Sequence, residues 1–232
     1  MIKKIARQAF HATGGLGVAR WTRRRSLRIL MYHRFKDRDS IAQQCAHIRA
    51  HYTPVSLSHA AGWLCDGGWP DNALVVTVDD GYRDFYQLAY PVFREYGIPA
   101  TVYLVSEFLD GRQWLWVDRV RWSYLKNGSN LKEARTAIEA AKKLPNAARL
   151  AWLEALPVRP PEVAPAEYEA MQWDEVREAS RGGMEFGAHT CTHPILSRVG
   201  EGELTSEIAG SKRRIEEELG RAVDHFCYPN GS

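Results

Sequence analysis

ALVVTVDDGYRDFY, residues 73–86, sets a six-residue, almost wholly apolar run directly before two adjacent carboxylates and a glycine. A run that continuous is too apolar for a sheet with one wet face, and it predicts a strand buried on both sides. Four more short runs read as strands: RILMY at 28–32, ATVYLV at 100–105, MEFGA at 184–188 and VDHFCY at 223–228. Helical spacing marks 41–51, 58–65, 84–96, 173–181 and 203–219, with Ser58 and Asp174 as candidate N-terminal caps and Gly182, Gly183 and Gly220 as stops. Strand and helix alternate, which implies an α/β fold of parallel strands with helical crossovers, a (β/α) barrel first and a doubly wound open sheet second.

Residues 110–170 break that rhythm. Trp114, Trp116 and Trp122 are followed by a helical stretch over 131–156, divided near Pro145, and then by Pro157, Pro160, Pro161 and Pro165. The segment reads as an insertion. Either it grips a sugar through its tryptophans or it packs as a helical hairpin on the barrel, and the second is the simpler reading.

At 232 residues and 45% hydrophobic composition, the chain suffices for one sizeable core. Formal charge is +3, yet eight basic residues and no acid fall in the first 28, which leaves the remainder at −5. A basic arm, residues 1–27, is therefore set apart from a body, residues 28–232. Ile2, Ile5, Ala6, Ala9 and Phe10 share one side of a potential helix, so residues 1–25 are either an amphipathic element resting on anionic lipid or a frayed terminus. The arm lacks the apolar segment of an export signal, and no stretch is long enough to span a bilayer. A cytoplasmic location, with contact at the inner face of the membrane, is the resulting expectation. No basic helix or aromatic stripe continues past the arm, so nucleic acid is not an expected partner. Cys45, Cys65, Cys191 and Cys227 show no CxxC spacing and read as reduced thiols.

The carboxylates Asp79 and Asp80 stand at the C-terminal end of the buried strand, where parallel α/β folds build their sites. Successive residues there face different sides, so one carboxylate can hold a cation while its neighbour faces a substrate. A cation would also relieve their mutual repulsion. Further ligands are offered by HTCTHP at 189–194, directly after another strand, where His189 and His193 can converge on one ion. Two imidazoles and one carboxylate leave coordination positions open, as a working metal requires.

TVDDG, HTCTHP and FCYPNG together resemble the three leading motifs of the polysaccharide deacetylases, also called carbohydrate esterase family 4 or NodB-homology domains. The resemblance runs from about Arg28 to the end and includes PVSL at 54–57 and GIPATVYL at 97–104. It implies a distorted (β/α) barrel that removes N-acetyl groups from an N-acetylated glycan with one divalent metal, usually zinc. Carried across, Asp80, His189 and His193 would hold the metal and Asp79 would be the general base. The turn from Tyr228 to Gly231 would stabilise the oxyanion, with Tyr228 and Asn230 contacting substrate. RILMYHRF at 28–35 resembles the first strand of the bacterial poly-N-acetylglucosamine deacetylase branch, in which a histidine replaces the general acid, and His33 takes that position.

Two departures stand out. An arginine that pairs with the catalytic aspartate in much of the family is here Cys227, which leaves Arg83 and Arg34 as candidate partners of Asp79. The sequence also ends just after the third motif, so the resemblance implies a barrel incomplete at its C-terminus or an acid drawn from elsewhere. Alternatives are an inactive glycan-binding domain, or a related hydrolase of non-sugar amide C–N bonds. The two-histidine, one-carboxylate set of non-haem iron oxygenases is disfavoured by the distance in sequence between Asp80 and His189.

Overall fold

The computed structural model describes residues 15–64 and 67–231. Its strands are β1 (Arg28–Tyr32), β2 (Thr53–Pro54), β3 (Ala73–Val78), β4 (Ala100–Leu104) and β5 (Glu185–Ala188), all in one parallel sheet. β1, β3, β4 and β5 lie side by side in that order, and β2 pairs with the start of β3. All six residues of β3 are buried, as its sequence requires. β1 instead alternates, leaving Ile29 and Met31 exposed on an edge strand.

The strand anticipated over 223–228 is corrected: the chain makes only one parallel bridge there, Ala188 to Phe226. Two backbone bonds hold it, Ala188 N–H to His225 O and Cys227 N–H to Ala188 O, each 2.9 Å. The turn Pro229–Gly231, with Asn230 at φ 58°, then ends the pairing. Among the described residues the edge at β1 and the edge at Phe226 do not pair with each other.

The helices are α1 (Gly15–Thr22), α2 (Arg38–His51), α3 (Leu57–Gly62), α4 (Tyr90–Glu95), α5 (Ser106–Leu109), α6 (Trp116–Lys126), α7 (Leu131–Ala141), α8 (Asn146–Glu154), α9 (Trp173–Arg181) and α10 (Glu201–Leu219). Two capping expectations shift. Ser56, not Ser58, caps α3 by accepting from His59 N–H, and at α9 it is Gln172 that precedes the helix, its N–H bonded to Glu175 Oε2 at 2.8 Å.

The helix read over 84–96 divides into a π turn, Phe85–Ala89, and α4. Pro91 explains the division, because it has no N–H to return to the carbonyl of Gln87. Tyr90 N–H reaches back five residues to Phe85 O, and Arg38 Nη2 donates to the freed Gln87 carbonyl at 2.7 Å.

The main core joins the sheet to its covering helices through Val76, Val78, Phe85, Phe93, Val102, Leu104, Val176 and Ile215. A second, smaller core of Trp116, Val120, Ile138, Ala141 and Leu153 holds α6, α7 and α8 together. Within residues 110–170 lie α6, α7 and α8, with Pro145 between α7 and α8. Trp116 lies inside that core, with the Arg149 guanidinium 5.2 Å from its ring, while Trp114 and Trp122 pack on Tyr168.

The apolar positions read at residues 2–10, and Cys65, lie outside the described residues. No helix among the described residues is long and apolar enough to cross a membrane.

Candidate active site

The sheet positions the site by carrying four chain segments to one end. Asp79 continues the β1–β3 ladder, its N–H bonded to Tyr32 O at 2.9 Å. The next two residues are left-handed, Asp80 at φ 77° and Gly81 at φ 81°. A side chain is costly in that region unless the surroundings hold it, and such residues gather at functional sites. At Gly81 a Cβ would also meet Leu104 Cδ2 at 2.9 Å, so glycine alone fits. This reversal sends the two carboxylates to different neighbours.

Asp80 Oδ1 lies 3.3 Å from His193 Nε2 and 3.6 Å from His189 Nε2. His189 extends the β4–β5 ladder through its N–H to Leu104 O, and its Nδ1 donates to Cys227 O at 2.9 Å. That bond fixes the tautomer and turns a free Nε2 lone pair toward Asp80. Thr190 (φ 70°) and His193 (φ 60°) complete the turn, which His193 N–H closes by bonding Thr190 Oγ1 at 3.0 Å.

Glu207 of α10 clamps the same turn. Its carboxylate accepts from Cys191 N–H (2.8 Å), Thr192 N–H (2.9 Å) and Thr192 Oγ1 (2.6 Å). The ligand atoms of Asp80, His189 and His193 lie within 4.8 Å of one another, close enough to share one ion after small side-chain rotations.

Burial sets the charge states. It pushes the Asp80 carboxyl up to about 7, helped by repulsion from Asp79 and Asp118. It lowers His189 to about 4 and His193 well below the usual imidazole range. Both imidazoles are thus neutral, the form that donates to a metal. Asp80 Oδ1, Asp79 Oδ1 and His193 Nδ1 are buried without a hydrogen-bond partner among the described residues. Orphaned buried acceptors beside neutral imidazoles fit a divalent cation, which would satisfy Asp80 at that point.

Asp79 is also raised by burial, and His33 opposes the rise. His33 follows β1, half-exposed, with Nε2 3.7 Å from Asp79 Oδ2. Neither arginine considered as the partner of Asp79 reaches it. Arg34 Nε binds Asp84 at 2.6 Å and its guanidinium lies over Tyr82, while Arg83 binds Glu169 and Glu175, each at 2.9 Å. Histidine therefore stands where an arginine was sought.

These groups line a cavity of about 540 Å³, together with Cys227, Tyr228 and Asn230. Tyr228 is exposed at it, and Gly231 N–H is already bonded to Tyr228 O, so that amide is engaged within the turn. Val117 and Arg121 of α6 supply another wall. Buried Asp118 fixes that wall by accepting from Tyr82 Oη and, at 2.8 Å, from Arg121 Nη1. Sequence reasoning singled out none of Val117, Asp118, Arg121 or Glu207.

A family model described as polysaccharide deacetylase matches residues 66–232. The Bacillus subtilis (strain 168) protein named "Putative polysaccharide deacetylase YxkH" is 29% identical over 104 residues, 41% of this chain and 37% of that protein. Solved structures share the fold. The de-N-acetylase from Aggregatibacter actinomycetemcomitans superposes with a TM-score of 0.61 at 17% identity, covering 89% of this chain and 80% of that one. IcaB from Ammonifex degensii gives 0.60 at 19%, covering 89% and 75%. The Streptococcus pyogenes deacetylase PplD, in complex with acetate, gives 0.56 at 17%, covering 88% and 73%.

Proposed function

The chain belongs to the polysaccharide deacetylase family, and from that premise we propose that its cavity hydrolyses N-acetyl groups of an N-acetylated glycan and releases acetate. The observation that carries this reading is the convergence of Asp80, His189 and His193 on the cavity floor, with a second carboxylate, Asp79, beside them. Those three residues would hold one divalent cation, and their two-imidazole, one-carboxylate donor set suits zinc. When bound, the cation supplies Lewis acidity that polarises the amide carbonyl and makes water more acidic.

The chain's own groups handle the protons. Asp79, ionised, takes one from the attacking water. His33, at the end of β1 beside Asp79, gives one to the departing amine nitrogen, so the amide and water become amine and acetate. Tyr228 and Asn230 border the acceptor sugar. Neutral His189 and His193 keep their lone pairs for the cation. Glu207 and the Cys227 carbonyl keep the histidine turn in register.

The reading also separates the basic arm, residues 1–27, from the catalytic body, residues 28–232, whose helical insertion spans about 110–170. Val18 and Trp21 of α1 are exposed and are flanked by Arg20, Arg23 and Arg25, a composition suited to an anionic lipid surface. α1 leads into the N-terminal end of β1, whereas the cavity lies at the C-terminal ends of the strands.

Acetate release from N-acetylglucosamine oligomers tests the reading, with non-sugar acetamides alongside. Asp79→Asn should lower kcat by about 10²–10⁴-fold with metal content unchanged. Turnover of the non-sugar amides alone would move the substrate to another class. Glycan binding with no turnover at any metal loading would remove the enzyme altogether.

A further inference from the structure

Cys227 stands where the family resemblance places an arginine, and the mechanism above uses only its carbonyl. Its side chain lines the cavity, and its thiol joins Asp79 and His189 in a second cluster whose ligand atoms lie within 4.8 Å of one another. Asp79 is buried, with a side chain only 6% exposed, and its Oδ1 has no hydrogen-bond partner among the described residues. The thiol is free. An arginine here would pair with Asp79 and repel cations. A thiol does neither.

We propose that Asp79, His189 and Cys227 form a second cation position, suited to a soft, thiophilic ion such as cadmium, whose occupation withdraws Asp79 from proton transfer. Sulfur prefers soft ions, whereas the first position offers only nitrogen and oxygen. The two positions share His189, so they fill in competition. Binding replaces the S–H bond of Cys227 with a sulfur–metal bond and releases the proton to the buffer, with no change of oxidation state. The inhibitory consequence rests on the role proposed for Asp79; the binding itself does not.

The test strips the full chain of metal with a chelator and titrates it with cadmium, following the ultraviolet thiolate-to-cadmium charge-transfer band. In the wild type the band should grow and saturate with one thiolate-bound ion. Cys227→Ser should lose it. Asp79→Asn, which keeps the thiol, should shift the midpoint to higher cadmium. His193→Ala, which breaks only the first position, should keep the band. In zinc-loaded wild type, cadmium should abolish acetate release as the band appears.

A band that persists in Cys227→Ser would overturn the proposal, because Cys45, Cys65 or Cys191 would then hold the ion. Absence of any wild-type band would also overturn it, as would loss of the band in His193→Ala, which would place the ion in the first position. A wild type that shows the expected band but never releases acetate would sink the deacetylase reading and leave the second position standing.

Discussion

Asp80 and the two histidines define what the site can do at the scale of single residues, through charge. Without a cation, Asp80 holds its proton up to about 7, while His189 holds one only below about 4. Binding a divalent ion near pH 6 must therefore expel the Asp80 proton, whereas at pH 9 the carboxylate is already bare and the imidazoles are already neutral. Cation affinity should rise with pH up to about 7 and then level. Calorimetry in buffers of different ionisation enthalpy should count close to one proton released from Asp80 near pH 6, whereas any proton released at pH 9 comes from water made acidic by the cation. No proton released near pH 6 would assign ligation to groups other than these. Most of this was legible in sequence because TVDDG and HTCTHP carry their chemistry in consecutive residues. The partner of Asp79 was not, since His33 meets it only through the parallel pairing of β1 with β3.

At the scale of elements, the ligands depend on two supports far from them in sequence. Glu207, on α10, bonds the backbone of the histidine turn, and nothing in the local pattern of that helix separates it from the solvated glutamates around it. Glu207→Ala should weaken metal binding about 10–100-fold while the helix remains, as loss of a group that orients ligands does; competition with a chromophoric chelator measures this, and unchanged affinity would reduce the contact to packing.

Gly187 in β5 is the other support. A Cβ there would sit 2.6 Å from Tyr103 Cδ1 and 2.9 Å from the His225 carbonyl, so only glycine lets residues 225–227 approach β5 and bring the Cys227 carbonyl to His189. Gly187→Ala should lower both the thermal midpoint and metal affinity, and a variant that lost neither would show that the segment has room to move. The apolar run at 223–228 looked like a strand for a related reason: its residues pack against β5, but the turn at Pro229–Gly231 cuts the pairing to one bridge.

For the whole molecule, alternating strands and helices in the sequence led to the parallel α/β sheet, and the buried β3 run led to its centre. The wall built by α6 escaped notice because an amphipathic helix looks the same whether its polar side meets water or a cavity; only the fold brings Val117 and Arg121 to the site. At this scale the described part of the basic arm, α1, precedes the N-terminal end of β1, while the cavity lies at the C-terminal ends of the strands. Vesicles containing anionic lipid should retain the full chain at low salt and release it as salt rises, with Trp21→Ala reducing retention. Retention equal on neutral vesicles, or insensitive to salt, would remove the lipid role of the arm.

Whether one ion is held by Asp80, His189 and His193 can be seen by anomalous diffraction at the zinc edge from crystals of the zinc-loaded chain. A single dominant peak about 2.0–2.2 Å from a carboxylate oxygen of Asp80 and from one nitrogen of each histidine is the expected result. Zinc bound elsewhere, with those three side chains free of it, would contradict the metal site and the mechanism built on it.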